Sequence, residues 1–126
     1  MSLIICVTGG REHPPFRAEF EIAWLNELKY TFDIRAAASG GARGADTEFE
    51  YWCVLAQIPW RRFPADWEKY GKRAGFVRNK QMLQWLLAYQ KQGYDIAVIA
   101  FKGNRGTGMM KSIANKAGVP VIEYTY

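Results

Sequence analysis

Ile96-Ala97-Val98-Ile99-Ala100-Phe101 runs directly into Lys102-Gly103-Asn104-Arg105-Gly106-Thr107-Gly108. Six consecutive apolar residues without polar alternation suit a strand covered on both faces, as in a parallel sheet. The same order of strand and glycine turn occurs twice more. Leu3-Ile4-Ile5-Cys6-Val7 precedes Thr8-Gly9-Gly10-Arg11, and the apolar run 34–38 precedes Ser39-Gly40-Gly41-Ala42-Arg43-Gly44-Ala45-Asp46. Eight of the twelve glycines fall in these three turns, so they are not scattered loop residues. Glycine adopts positive φ and lets a backbone approach a ligand closely. At the carboxyl ends of parallel strands, such turns converge on one crevice.

Outward from these turns, strands and helices alternate. Strands are expected over residues 3–8, 34–38, 59–63, 96–101 and 119–124, with the 96–101 strand central. Helices are expected from Pro14-Pro15 to about residue 30, and over 44–57, 76–92 and 106–117. The prolines suit a helix start, and Gly118 suits a helix end. Phe16, Phe20, Ala23, Trp24 and Leu28 recur at spacings of three and four. Segment 64–75 lacks periodicity and reads as a loop over the sheet. Right-handed crossovers then give one Rossmann-like, three-layer α/β/α domain with a mainly parallel sheet of about five strands.

The bulk composition narrows the class. A chain of 126 residues, 49% apolar, can bury a core as a single domain. No apolar run is long enough for a membrane span, and the amino terminus lacks the basic segment of a signal peptide, so a cytoplasmic protein is expected. Cys6 and Cys53 read as buried, reduced hydrophobes. One histidine, His13, and no Cys-x-x-Cys motif give no reason to expect a metal. The net charge of +5 favours an anionic partner.

Each turn then offers specific groups. Gly40, Gly41, Ala42 and Gly44 would present backbone N–H groups at a helix start, with Arg43 adding a forked bond to a phosphate. The alternative is a tight turn whose Asp46 complements the helix dipole. Gly103, Gly106 and Thr107 form a second such turn, in which the Thr107 hydroxyl meets either a phosphate oxygen or backbone. It is not a Walker A loop, and no Gly-x-Gly-x-x-Gly follows the first strand. Thr8, Gly9 and Gly10 end that strand, and Arg11 either enters the crevice or faces solvent. Trp67 either stacks on a base or covers the sheet edge. Arg78 and Asn79, placed in the first turn of a helix, set a cation against the helix dipole, which an anion would relieve.

In combination these blocks resemble the SLOG superfamily, in particular its small YspA-type members. The matching residues are Val7-Thr8-Gly9-Gly10-Arg11, Gly40-Gly41-Ala42-Arg43-Gly44-Ala45-Asp46, and Pro64-Ala65-Asp66-Trp67 with Gly71, Ala74-Gly75 and Arg78-Asn79. Ile99-Ala100-Phe101 with Gly103, Gly106-Thr107 and Met109 completes them. The resemblance implies a Rossmann-like domain that binds a nucleotide or nucleotide-derived ligand. Its relatives include the LOG phosphoribohydrolases, the single-strand DNA-binding DprA, and domains that sense nucleotide signals such as ADP-ribose derivatives. LOG enzymes carry Pro-Gly-Gly-x-Gly-Thr-x-x-Glu where this chain has Lys102, Gly103, Asn104, Gly106, Thr107 and finally Met110. Methionine can neither stabilise an oxocarbenium-like centre nor activate water. Asp46 and Asp66 are then the remaining carboxylate candidates for catalysis, with Arg78 a loose match to a LOG arginine.

Three functions follow as expectations. The first is binding or sensing of a nucleotide-like small molecule; no cofactor is identifiable. The second is hydrolysis of a nucleotide N-glycosidic bond. The third is binding of single-stranded nucleic acid, suggested by the charge and by Trp60-Arg61-Arg62. The helix carrying Trp85-Leu86-Leu87 and Tyr89 suggests more apolar surface than one sheet face can cover, and hence a homodimer.

Overall fold

Ser2–Thr8 (β1) is buried at every position after Ser2. A computed structural model, which describes residues 2–125, shows why. β1 pairs in parallel with Asp33–Ser39 (β2) on one side and Asp95–Ala100 (β4) on the other. Trp60–Arg62 (β3) extends the sheet beyond β2, and Val121–Glu123 (β5) extends it beyond β4. The order is β3-β2-β1-β4-β5, all parallel. The central strand is therefore β1, with the apolar β4 beside it. Ile4 stands opposite Ile96, and Cys6 opposite Val98.

Alternate residues of β1 serve opposite faces, as the period of two requires. Leu3, Ile5 and Val7 share a core with Leu25, Phe49 and Trp52, from Ala23–Thr31 (α1) and Ala45–Leu55 (α2). Ile4 and Cys6 share the other core with Met82, Leu86, Met110 and Ala114. These come from Ala74–Lys91 (α4) and Arg105–Lys116 (α5). The result is the expected three-layer α/β/α architecture.

Several boundaries differ from the sequence reading. The first helix does not begin at Pro14-Pro15. The chain turns at Arg11-Glu12, runs without regular structure to an extended Arg17, and enters α1 through a wide turn, Ala18–Ile22. Acidic side chains hold that stretch: Glu48 Oε1 accepts from the Phe16 N–H at 2.9 Å, and Glu21 Oε1 accepts from the Arg17 N–H at 3.0 Å. Leu25 is fully buried, whereas Ala23 is exposed.

Segment 64–75 is not a plain loop either. It holds a one-turn helix, Trp67–Tyr70 (α3), then a tighter turn, Gly71–Arg73, that feeds α4. Asp66 starts α3 by accepting the Lys69 N–H at 3.1 Å, a side-chain cap. α4 thus begins at Ala74, and Arg78 lies in its second turn, not its first. The dipole misfit expected of Arg78 falls away. α5 is followed by Gly118 at φ +74, the left-handed end its position suggests. Both edge strands are three residues long, which limits unpaired edge. Among the described residues, no helix is long and apolar enough to cross a membrane.

Candidate functional site

After β1 the chain turns to the helices of one face; after β4 it turns to those of the other. The two connections part over the carboxyl ends of β1 and β4, where open α/β sheets leave a crevice. Here the crevice is a cavity of about 350 Å³. Its lining brings together Thr8, Gly9 and Arg11 from the end of β1, Ala42 and Asp46 from the start of α2, and Trp67 from α3. Arg78 and Asn79 come from α4, and Gly106 and Thr107 from α5. Val7, Gly75, Met82, Asn104 and Met109 complete it. Met82 carried no signal in the sequence, and helical spacing from Arg78 is what could have found it; Met109 stood among the residues of the family resemblance, with no role given to it.

The glycines split into two groups. Gly9, Gly10, Gly44 and Gly103 hold the loops against one another. A Cβ on Gly9 would overlap the Ala45 side chain, and one on Gly44, at φ +81, would overlap the Gly10 and Arg11 carbonyls. A Cβ on Gly10 would crowd the backbone of Lys102 and Gly103 at 3.1 Å. The matching hydrogen bonds run from Gly10 N–H to the Lys102 carbonyl at 3.0 Å and from Ala45 N–H to the Gly10 carbonyl at 3.1 Å. Gly106 differs: it lines the cavity with no atom within 4 Å of its Cβ position.

In the β2–α2 turn, expected as a phosphate cradle, the Gly41 and Ala42 amides are engaged within the protein. Gly41 N–H donates to Ser39 Oγ at 3.0 Å, and Ala42 N–H to Asp46 Oδ2 at 3.2 Å. Gly40 leaves room for Arg78, whose Nη1 donates to the Gly40 carbonyl at 2.9 Å. Gly41 leaves room for the Arg62 side chain, itself bound through two nitrogens to the buried Glu50. Arg43 turns out to Glu12 and does not line the crevice. Asp66, one of the two carboxylates expected there, lines a neighbouring hollow with Lys69 and Tyr70 instead. Arg61 lies over Phe63, and Arg62 over Trp60, so the basic 60–62 run is spent on local stacking.

The α5 turn is the open one. Asn104 occupies its cap position without a side-chain bond. Thr107 is 4% exposed, and its Oγ1 is, among the described residues, the buried side-chain oxygen or nitrogen without a partner. Gly103 is required beside it, because a Cβ there would overlap that hydroxyl. Asn79 reaches across from α4, donating to the Gly106 carbonyl at 3.4 Å, and its Oδ1 accepts from Arg78 Nε at 3.0 Å. A buried, unpaired hydroxyl beside uncapped helix amides suits a ligand acceptor oxygen.

Three charged groups line the crevice: Arg11, Arg78 and Asp46. Burial pushes the Asp46 carboxyl up to about 6, against the opposing pull of the Ala42 N–H and of Arg78. Burial lowers Arg78; Asp46 opposes that by raising it, and Arg11 lowers it further, so two cations and one carboxylate share this space. Arg11 also sits 5.7 Å from the centre of the Trp67 ring, which is half exposed at the crevice mouth. Met110 is fully buried in the second core and does not line the cavity; Met109 does.

The Cys6 and Cys53 thiols are buried and unpaired with each other. Burial raises both, Cys53 to about 12, which keeps them protonated and unreactive. Among the described residues, no group of three His, Cys, Asp or Glu side chains could hold a metal ion.

The Gene 61 protein of Mycobacterium phage D29 is 37% identical to this chain over 92 residues, which span 68% of this chain and 67% of the phage protein. The chain belongs to the family of that phage protein. No protein-family model matches the sequence.

Proposed function

We propose that the crevice binds a nucleotide or nucleotide-derived ligand, with a phosphate at the start of α5 and a planar group against Trp67. The observation that carries this reading is the buried, unpartnered Thr107 hydroxyl beside Gly106, in a cavity that also receives two arginines. The cavity volume of about 350 Å³ falls in the range of small-molecule sites, roughly 300–1,000 Å³. The resemblance to SLOG domains supports the same ligand class, for sensing or for turnover.

Native mass spectrometry of the freshly purified protein should find a co-purifying nucleotide, and calorimetry with AMP, ADP-ribose and NAD should give saturable binding to at least one. Thr107→Val should weaken that binding by roughly 1–3 kcal/mol, the range for a hydrogen bond to a charged group. Silence from every such ligand would overturn the reading.

Asp46 favours a second reading, hydrolysis of the N-glycosidic bond. It is, among the described residues, the one carboxylate lining the crevice, and burial pushes it up to about 6. Chromatography of incubated nucleotides would then show free base and ribose 5-phosphate, abolished by Asp46→Asn. Equal traces with the variant and with a blank would remove this reading.

Self-association is a further part of the proposal. The aromatic face of α4 that suggested it packs internally, with Trp85 against Phe63 and Tyr89 against Tyr94. Exposed Tyr51, Val54 and Leu55 on α2 form the alternative stripe. Light scattering at micromolar concentration should give a dimer mass that Leu55→Glu halves; a monomer mass for the parent chain would refute it.

A further inference from the structure

The charges around the crevice do more than attract an anion; they count it. Arg11 and Arg78 contribute two positive charges and Asp46 one negative, so the lining carries a net single positive charge once Asp46 is ionised. The remaining lining groups are neutral, Thr8, Asn79 and Thr107 among them. Asp46 is closely held: its Oδ2 accepts the Ala42 N–H, and a Cβ on Gly40 would lie 3.0 Å from that oxygen and 2.7 Å from the Arg78 guanidinium carbon. Carboxylate and guanidinium therefore flank the same glycine. The charged groups that act on Asp46 are Arg78 from α4 and Glu50 from the next turn of α2, while the neighbouring Cys6 thiol of β1 is held protonated by burial and by Asp46 itself. Glu50 is itself held by Arg62. Among the described residues, no further cation lines the cavity to offset a second ligand charge.

We propose that Asp46 is a specificity-determining residue, through which the crevice selects a phosphate esterified on both sides, with one negative charge, over a terminal phosphomonoester dianion. The inference rests on the nucleotide reading above and narrows it to phosphodiester ligands, whose phosphate carries a single negative charge. A phosphomonoester loses its second proton near pH 6, so above that pH it brings two charges into a space balanced for one. The second charge then lies near a buried carboxylate where water screens poorly, and like charges there disfavour each other. A dianion therefore binds more weakly than a monoanion unless Asp46 or the phosphate takes up a proton.

Equilibrium dialysis with AMP and with its 5′-phosphate methyl ester tests this directly. The two share base, ribose and phosphate and differ in charge. At pH 8 the intact protein should bind the methyl ester about tenfold more tightly, the effect of one pKa unit of repulsion. At pH 5, where AMP is a monoanion and Asp46 is protonated, the two affinities should converge. Asp46→Asn should close the gap at pH 8 by strengthening AMP. Equal affinities at pH 8, or a tenfold gap that persists at pH 5 or in Asp46→Asn, would overturn the inference and leave the nucleotide reading standing. If Asp46→Asn does not fold, equal affinities at pH 8 would still overturn the inference. Binding of neither compound at either pH would overturn the nucleotide reading, and the inference with it.

Discussion

At Gly44 the backbone holds φ +81, and any side chain would collide with the carbonyls of Gly10 and Arg11. Gly44→Ala combines a left-handed conformation with that clash and should cost at least about 1–3 kcal/mol. Gly108 sits inside α5 with open space around it. Gly108→Ala should stabilise by about 0.5–1 kcal/mol, because alanine loses less backbone freedom in a helix. Urea unfolding of the two variants should therefore move in opposite directions. Asp46 yields a pH dependence whose sign is fixed by its shift. Its carboxyl titrates near 6 in the folded chain, above the ordinary 3.8, so the folded state binds the extra proton. That contribution is full below about pH 4 and is lost as pH rises through 6, a change of about 2–3 kcal/mol at most. Asp46→Asn should flatten the slope of unfolding free energy between pH 4 and 7 and stabilise the protein at pH 8; an unchanged slope would contradict the buried placement of this carboxyl.

The elements show which signals a sequence carries. β1 and β4 were legible because continuous apolar runs have few other uses in a chain this size, and β2, interrupted by Arg35, was legible from the glycine turn that follows it. α3 was not, since a single turn is too short for any periodicity to register. Its start depends on one contact, the Asp66 carboxylate on the Lys69 N–H. Asp66→Ala should destabilise by about 0.5–2 kcal/mol and loosen Trp67, readable as faster amide exchange confined to the 64–73 segment. The delayed start of α1 was hidden for a different reason. Prolines at 14 and 15 are compatible with a helix start, but the chain there is stretched by bonds to Glu21 and to the distant Glu48, which no local rule anticipates. At the crevice, Thr8, Arg11, Asp46, Trp67, Arg78, Asn79, Gly106 and Thr107 were legible from their place after strands or in the polar-aromatic block. The outward turn of Arg43 was not, because it depends on Glu12 across the neighbouring loop. Nor could spacing show that Gly9, Gly44 and Gly103 accommodate protein atoms.

Across the whole molecule the sheet separates two cores. Ile96 and Ile99 belong to one strand, three residues apart or about 10 Å, yet they face opposite layers. Ile96→Val and Ile99→Val should each cost about 0.5–1.5 kcal/mol, and the double variant should equal their sum within about 0.5 kcal/mol. A larger coupling in urea unfolding would mean that the layers communicate through the sheet. The strand order also has a consequence for synthesis. A ribosome delivers β1, β2 and β3 first, and these can pair as one half-sheet with Arg11 and Asp46 already in hand. The opposite flank of β1 stays bare until β4 emerges, and Thr107 comes later still. For that interval the nascent chain exposes an apolar edge that invites mispairing. Speed of translation through the long α4 thus sets how long a half-made protein must be shielded by chaperones.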